Sequence, residues 1–143
     1  MRLVDLLTAA LAITLSSTSV IAQTPEPFTI RGVLVDPDGK PTPGEKVHCL
    51  IYQDGESYAQ MSMVDGRIVP AGPKGTSDRT GSFEIKVGVD FLANGTKEFT
   101  IGAVRDGKVI GILREGNLFY FTLEEARRAN NKIDLGKVIL QRK

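Results

Sequence analysis

The residues able to do chemistry in this chain are few, and two of them are neighbours. The sequence contains one histidine, His48, and one cysteine, Cys49. A zinc site needs three or four ligands drawn mainly from His, Cys, Asp and Glu, and a serine nucleophile needs a histidine oriented by an acidic group. Ser57, Ser62 and Ser77 are the candidate nucleophiles, but no motif links them to His48. We therefore predict no catalytic residue, no metal-binding residue and no cofactor.

An acidic segment, Asp36-Pro37-Asp38-Gly39, resembles the first positions of a calcium loop. It is not followed by the later acidic ligands or the bidentate glutamate that such a loop requires. Proline and glycine at these positions are typical of a tight turn. The sequence therefore favours a turn over a calcium site.

Composition and charge narrow the class of protein. The 143 residues are 41% hydrophobic and 24% charged, as in an ordinary globular domain. A chain of this length can form one hydrophobic core but not two. Eighteen Lys and Arg oppose seventeen Asp and Glu, for a net charge of +1, whereas a nucleic-acid-binding domain normally shows a basic stripe. We predict one globular domain that does not bind nucleic acid.

The start of the chain has the features of an export signal. An apolar run over 6–15 is about ten residues long, whereas a membrane-spanning helix needs about twenty. Val20-Ile21-Ala22 places small residues where signal peptidase cleaves. We predict a cleaved signal peptide over 1–22, a linker over 23–27 and the folded domain over 28–141. The mature protein would be periplasmic or extracellular with no membrane span. The alternatives for the first segment are an ordinary helix and an uncleaved anchor.

Export determines how Cys49 is interpreted. A single cysteine in an oxidising compartment either pairs with another chain or stays shielded. Free cysteine is among the most buried residue types, so we predict a buried structural thiol. Cys49 shares one face of a predicted strand with Val47 and Ile51, and His48 faces the opposite side. A single histidine there is most often a surface or half-buried residue.

Alternating apolar and polar residues predict strands along most of the remaining chain. Asp-Gly at 54–55, 65–66 and 106–107 favours hairpin turns, as does Asn94-Gly95, which with Thr96 is also a formal glycosylation sequon. The predicted strands cover residues 28–35, 47–52, 58–64, 67–69, 82–87, 99–105, 108–113, 118–122 and 137–141. This pattern is typical of an all-β, Greek-key (Ig-like or prealbumin-like) β-sandwich of about seven or eight strands.

One short helix is predicted near the C-terminus. Thr122-Leu123-Glu124-Glu125 fits a capping box, in which the Thr oxygen and the Glu carboxylate each satisfy a free backbone donor. Arg127 and Arg128 then lie where a helix C-terminus favours positive charge. Asn130-Asn131 suits a left-handed stop. The arginine pair could instead form an anion- or partner-binding patch, although the helix dipole already accounts for it.

The opening of the predicted domain resembles a known family. The spacing of Ile30, Gly32, Leu34, Asp36, Gly39, Pro41, Gly44 and Val47 is similar to that of the carboxypeptidase regulatory-like domain, in the transthyretin (prealbumin)-like group of β-sandwiches. Two further segments resemble the same family. They are Ser77-Asp78-Arg79-Thr80-Gly81-Ser82-Phe83 and the closing run from Ile133 to Leu140. The resemblance implies a sandwich over nearly all of the predicted mature chain.

The resemblance does not supply a catalytic site. Related hydrolases of 5-hydroxyisourate use more than one histidine, an arginine and a C-terminal Tyr-Arg-Gly-Ser, whereas this chain has only His48 and ends Leu140-Gln141-Arg142-Lys143. Intradiol dioxygenases of a related fold hold iron with two tyrosines and two histidines. Zinc carboxypeptidases keep their metal in a separate catalytic domain. We therefore expect a protein that is not an enzyme, with a small transthyretin-type hydrolase as the disfavoured alternative.

The expected function is binding. Residues 54–76 form a long, glycine-rich region that carries Tyr58, Met61 and Met63, and these three are the candidate binding residues. The equally consistent alternative is an insertion that packs its own methionines and tyrosine against the sandwich. Expected partners are other envelope or secreted proteins, met through a sheet face, an uncovered edge or the hairpin loops, and self-association is compatible with the sequence. A carbohydrate- or peptidoglycan-binding module is the alternative, weakened because the chain has no tryptophan and only three tyrosines.

Overall fold

The computed structural model describes residues 26–142, and the predicted signal peptide over 1–22 lies outside them. The described chain folds into eleven strands and two short helices, so the all-β prediction is confirmed. In chain order these elements are β1 (Phe28–Val35), β2 (Lys46–Gln53), β3 (Glu56–Tyr58), β4 (Met61–Val64), β5 (Arg67–Pro70), β6 (Lys74–Thr76), β7 (Ser82–Val87), α1 (Val89–Leu92), β8 (Glu98–Arg105), β9 (Lys108–Leu113), β10 (Phe121–Thr122), α2 (Leu123–Arg128) and β11 (Lys132–Leu140).

Two sheets face each other and share β9. The first sheet has the order β7-β1-β11-β9, and the second has the order β9-β8-β2, with β3 and β6 both beside β2. β9 pairs with β8 through its first residues and with β11 through Ile112 and Leu113. β1 runs parallel to β11 and antiparallel to β7. After β9 the chain first adds the short β10 to β8 in the second sheet and then returns to the first sheet through β11.

Phenylalanines from both sheets hold the sandwich together. Phe28 of β1 and Phe99 of β8 meet edge to face, with ring centroids 5.6 Å apart. Phe121 lies 5.9 Å from Phe99 and 6.1 Å from Phe28, and Phe91 of α1 completes the cluster at 6.0 Å from Phe99. Such aromatic pairs contribute about 0.5–1.5 kcal/mol each beyond the area that they bury. The core therefore lies between the two sheets.

The three predicted Asp-Gly hairpin turns are confirmed. The first residue of each pair has positive φ, at 53° for Asp54, 50° for Asp65 and 50° for Asp106, and the following glycine lies between 75° and 79°. Positive φ at both central residues is the signature of the type I′ turn, whose twist matches that of the strands it joins. These turns join β2 to β3, β4 to β5 and β8 to β9.

The predicted helix is confirmed together with the Thr122 half of its capping box, whereas the Glu125 carboxylate contacts the Thr122 hydroxyl and not a backbone N–H group. Thr122 accepts a hydrogen bond at its side-chain oxygen from the backbone N–H of Glu125 (3.1 Å), and its hydroxyl lies 3.3 Å from the Glu125 carboxylate. Arg128 is in the last turn and pairs with Glu124 at 2.6 Å. Arg127 binds the side chain of Asn131 at 2.6 Å. Both arginines lie in the last turn of the helix, where the dipole interpretation places positive charge.

Some element predictions need correction. Of the strand predicted over 118–122 only Phe121 and Thr122 pair, with β8, and the carbonyl of Phe119 accepts a 2.6 Å hydrogen bond from the Thr100 side chain instead of a ladder partner. The strand predicted over 58–64 divides between β3 and β4. The final strand begins at Lys132 rather than 137, and α1 was not predicted. The strand count exceeds seven or eight because these short segments count separately.

Candidate interaction surfaces

A hairpin interrupts one edge of the second sheet. β3 pairs with residues 51–53 of β2, and β6 pairs with residues 46–48, both antiparallel. The two short strands therefore follow one line beside β2, and the N–H of Cys49, between the two pairings, donates to the carbonyl of Pro73 (2.8 Å). The chain from 59 to 73 leaves this line, forms β4 and β5, and returns. We call residues 59–73 the arm.

The arm forms a two-stranded sheet of its own. β4 and β5 pair with each other and with no other strand of the described chain. Met61, Met63, Ile68 and Pro70 lie opposite one another in two cross-strand pairs and so share one face of the ribbon. Met63 is 69% exposed and Ile68 is 67% exposed. The apolar face of the arm is therefore most exposed at Met63 and Ile68, whereas Met61 is 41% exposed and Pro70 is half-buried.

The three candidate binding residues are exposed but not all on one element. Met61 and Met63 lie on the arm, whereas Tyr58 lies on β3, where its hydroxyl donates to the Glu56 carboxylate at 2.7 Å. That hydrogen bond to an anion contributes most to raising the pKa of Tyr58. Their exposure does not fit the alternative, in which these side chains pack against the sandwich. Binding by them stays a prediction.

A second surface, on the outer face of the second sheet, was not predicted. Tyr52 of β2 and Tyr120 stack with ring centroids 4.6 Å apart and planes within 5°. They line a cavity of about 200 Å³ that contains no charged side chain. The other side chains that form it include Leu50, Thr100, Val109 and Leu118. We call this cavity the tyrosine groove, and its two tyrosines are too distant in sequence for periodicity to pair them.

Two paired glycines leave room for the leucines of the tyrosine groove. Gly102 of β8 pairs with Gly111 of β9. A Cβ at Gly102 would lie 2.8 Å from Leu50 Cδ1, and one at Gly111 would lie 3.2 Å from Leu118 Cδ2. The Leu50 and Leu118 side chains therefore pack directly against the backbone of these glycines. Leu118 is nevertheless 72% exposed.

His48 lies among positive charges, and it is buried rather than a surface or half-buried residue as expected. It is 4% exposed, directly opposite Lys74 on β6 and two residues after Lys46 on β2. Burial lowers the pKa of His48, and the charges of Lys74 and then Lys46 lower it further. The imidazole is therefore neutral at pH 7. Lys46, His48 and Lys74 therefore form a cluster of basic residues on β2 and β6.

Cys49 is a structural thiol, as predicted. Its side chain is 1% exposed and belongs to the core between the sheets. Burial raises the pKa of the thiol far above its ordinary range. The nucleophilic thiolate is therefore not formed in the folded protein, and another chain's thiol has no access to the sulfur.

The acidic segment at 36–39 forms the expected turn. One carboxylate oxygen of Asp36 accepts the backbone N–H groups of Asp38 and Lys40, both at 2.9 Å. Gly39 has a φ of 84° and its N–H donates to the carbonyl of Asp36. No group of three His, Cys, Asp or Glu residues suited to a metal occurs within residues 26–142.

The three serines considered as nucleophiles have structural roles in loops or strands. The Ser77 hydroxyl donates to the carbonyl of Thr42 (2.6 Å) and accepts from the N–H of Glu45 (2.9 Å), which ties two loops together. Ser57 pairs across the sheet with Tyr52, and Ser62 pairs with Val69 within the arm. The structure does not join any of the three to His48 by a hydrogen bond in the described part of the chain.

Comparison with known proteins identifies no family. No protein-family model matches the chain, and no curated protein matches it. A crystal structure of a 9R-lipoxygenase from Cyanothece PCC8801 is similar at 13% identity and a TM-score of 0.42, over 82% of this chain and 17% of that one. BcpA, the major pilin subunit of Bacillus cereus, is similar at 13% identity and a TM-score of 0.42, over 83% of this chain and 31% of that one.

This chain therefore spans less than a third of either of those proteins. A TM-score of 0.42 supports no argument about function, and the family resemblance stays a prediction. Within residues 26–142 there is also no helix long and apolar enough to cross a membrane. What is established is an all-β sandwich that carries an apolar arm on one sheet edge.

Proposed function

We propose that this chain is an exported, non-catalytic interaction module that binds another envelope or secreted protein through its arm. The observation that carries the proposal is the exposed apolar face of Met61, Met63 and Ile68 on a ribbon that pairs with neither sheet. Methionine is flexible and polarizable, so it suits a surface that must adapt to a partner. A ribbon with two unpaired edges also offers backbone groups for strand addition.

The energetics support a partner for the arm. A two-stranded hairpin is at best marginally stable in water unless further strands or a helix pack against it. Each apolar side chain moved from water into an interface contributes on the order of 1.5–3 kcal/mol when fully buried. Met63 and Ile68 are exposed enough to contribute most of that amount. Binding would therefore stabilise both the arm and the complex.

Site-specific photocrosslinking in the native cells tests this function. A photoreactive residue replaces Ile68 in one variant, and in a second variant it replaces Val89, an apolar residue of α1 that is 47% exposed. We expect one abundant crosslinked protein from the arm position and none of that species from α1. The additional substitution Met63→Ser should reduce the crosslink from Ile68, because it removes half of that cross-strand pair. Equal crosslinking from both positions, or none from the arm, would contradict the proposal.

A carbohydrate- or peptidoglycan-binding module is the second candidate, and one observation favours it. Tyr120 is 50% exposed beside Tyr52 and presents an aromatic surface of the kind that sugar rings contact. Each ring already uses one face against the other, which leaves a small platform. Saturable binding of soluble oligosaccharides, abolished by Tyr120→Ala, would favour this candidate over protein binding.

The family assignment belongs to the same proposal. The carboxypeptidase regulatory-like resemblance rests on turn residues whose roles are physical in this fold. Gly81 has a φ of 82°, and a Cβ there would lie 2.3 Å from the carbonyl oxygen of Leu34. Asp78 accepts hydrogen bonds from the N–H groups of Thr80 and Ser82.

N-terminal sequencing of the protein from its own cells tests the proposed export. The expected result is cleavage after Ala22.

A further inference from the structure

We infer that the arm is a proteolytic cleavage site, at which a trypsin-like protease hydrolyses the peptide bond between Arg67 and Ile68 and leaves two fragments that stay together as one folded sandwich. In this step the C–N bond breaks, water adds its oxygen to the carbonyl carbon of Arg67, and the nitrogen of Ile68 becomes a free amine. The inference goes beyond the proposed function, because it depends on the geometry of the arm and on no bound partner.

The residues around this bond suit recognition by such a protease. Arg67 is exposed and directly follows the tight turn at the tip of the arm, and it is the only Lys or Arg of the arm. Ile68, on the other side of the bond, is 67% exposed. Trypsin-like proteases take a basic side chain into a pocket that holds an acidic group. Exposed tips of this kind are also where proteolytic nicking concentrates.

The arm can open for the protease without disturbing the core. Its two strands pair only with each other within the described chain. At its base the N–H of Ala71 donates to the carbonyl of Gln60 (2.8 Å). No side chain of the arm belongs to the buried core. Cleavage of a folded protein follows the population of the locally opened form, so a segment that opens at little cost is cut first.

The β8–β9 hairpin is an internal comparison with the same turn chemistry. Lys108 is exposed and directly follows an Asp-Gly turn, as Arg67 does, and the two turns have the same φ values of 50° and 75°. However, Ile110 and Ile112 on β9 are 6% and 1% exposed and belong to the core. Opening the chain around Lys108 would remove them from the core, whereas opening the arm has no such cost. The packing of the two hairpins therefore favours cleavage at Arg67.

The strands before the cut are held by strands that follow it. β1 pairs with β7 on one side and with β11 on the other. β2 pairs with β8 and with β6. Phe28 of β1 also packs on Phe99 of β8 in the core. Because these contacts do not involve the arm, the two fragments remain associated after the bond between them is broken.

Limited digestion of the purified protein with trypsin, followed by mass spectrometry, tests the position of the cut. We expect cleavage after Arg67 to be at least tenfold faster than cleavage after Lys108. Arg67→Lys gives the two hairpins the same basic residue and should keep this preference. Arg67→Gln should slow the appearance of the fragment that begins at Ile68 at least tenfold. Lys108→Gln is the matched control and should leave its appearance unchanged.

Gel filtration and circular dichroism of the cleaved protein test the association of the fragments. We expect both fragments to elute together at the volume of the intact protein, with an unchanged β-sheet spectrum, and to separate in concentrated guanidinium. Cleavage after Lys108 as fast as after Arg67, or fragments that separate without denaturant, would overturn the inference. Neither result would affect the partner proposed for the arm, which has its own crosslinking test.

Discussion

At the scale of single residues, the burial of Cys49 has a chemical consequence. The side chain is 1% exposed and burial raises the pKa of its thiol, so neither access nor thiolate is available in the folded state. We expect no labelling by iodoacetamide of the native protein at mildly alkaline pH and complete labelling in concentrated guanidinium, measured by intact mass. The variant Cys49→Ala controls for reaction at other residues. A disulfide-linked dimer of the native protein on a non-reducing gel would contradict this prediction.

His48 makes stability depend on pH. Burial and the neighbouring lysines lower its pKa from 6.5 in the folded state, so below about pH 6.5 the unfolded chain takes up a proton that the folded chain still excludes. The free energy of unfolding should therefore fall as the pH drops through this value toward the lowered folded pKa. Urea unfolding at several pH values from 7 to about 5 measures this dependence.

The variant His48→Gln isolates the contribution of that imidazole. It should show a flatter pH dependence over the same window, because glutamine does not titrate. Asp78 and Glu124 also have lowered pKa values, but their transitions lie below their ordinary values of 3.8 and 4.5. An unchanged pH dependence in His48→Gln would show that the imidazole does not control stability in this window.

At the scale of elements, Gly75 determines how closely β6 approaches β7. A Cβ at this position would lie 2.0 Å from the carbonyl oxygen of Glu84, so alanine forces the two backbones apart. We expect Gly75→Ala to lower the free energy of unfolding by about 1–3 kcal/mol, the usual cost of overpacking. Gly88→Ala is the matched control, since no atom lies within 4 Å of its Cβ position and its φ is −85°. Equal destabilisation by the two variants would show that the close approach is not the cause.

Elements specified by local chemistry are those that the sequence predicts best. The turns at Asp54, Asp65 and Asp106 follow from the backbone preference of Asp-Gly, and the α2 start follows from the side chain of Thr122. The parallel pairing of β1 with β11 depends on contacts between the two ends of the domain, which no local pattern encodes. The prediction of a strand over 118–122 fails at Phe119, whose carbonyl accepts a hydrogen bond from the Thr100 side chain, a contact between distant segments that no local pattern encodes either.

The candidate surfaces show the same division. Period-two alternation predicts that Met61 and Met63 lie on a strand, but it does not distinguish an exposed ribbon from one packed on a sheet. The tyrosine groove required the stacking of Tyr52 on Tyr120, which tertiary structure alone brings about. Three tyrosines and no tryptophan are few for a sugar-binding surface, so the composition points away from this groove.

At the scale of the whole molecule, the sandwich and the arm should differ in stability. Backbone hydrogen bonds of β1 and β11 lie within a sheet that packs on a shared aromatic core, so they open only when the domain unfolds. Those of the arm join β4 to β5 alone, and the carbonyl of Gln60 accepts from Ala71 at its base. Opening the arm exposes little apolar surface, because Met63 and Ile68 are already exposed.

Hydrogen exchange measured by mass spectrometry tests this hierarchy. We expect amides of β4 and β5 to exchange at least tenfold faster than those of β1, because a lone hairpin is at best marginally stable and a difference of about 1.4 kcal/mol in opening already gives that factor. The partner captured by crosslinking at Ile68 should slow the arm amides and leave those of β7 unchanged. Arm amides as protected as the core in the free protein would mean that the arm is already packed, which would remove the basis for assigning it a partner.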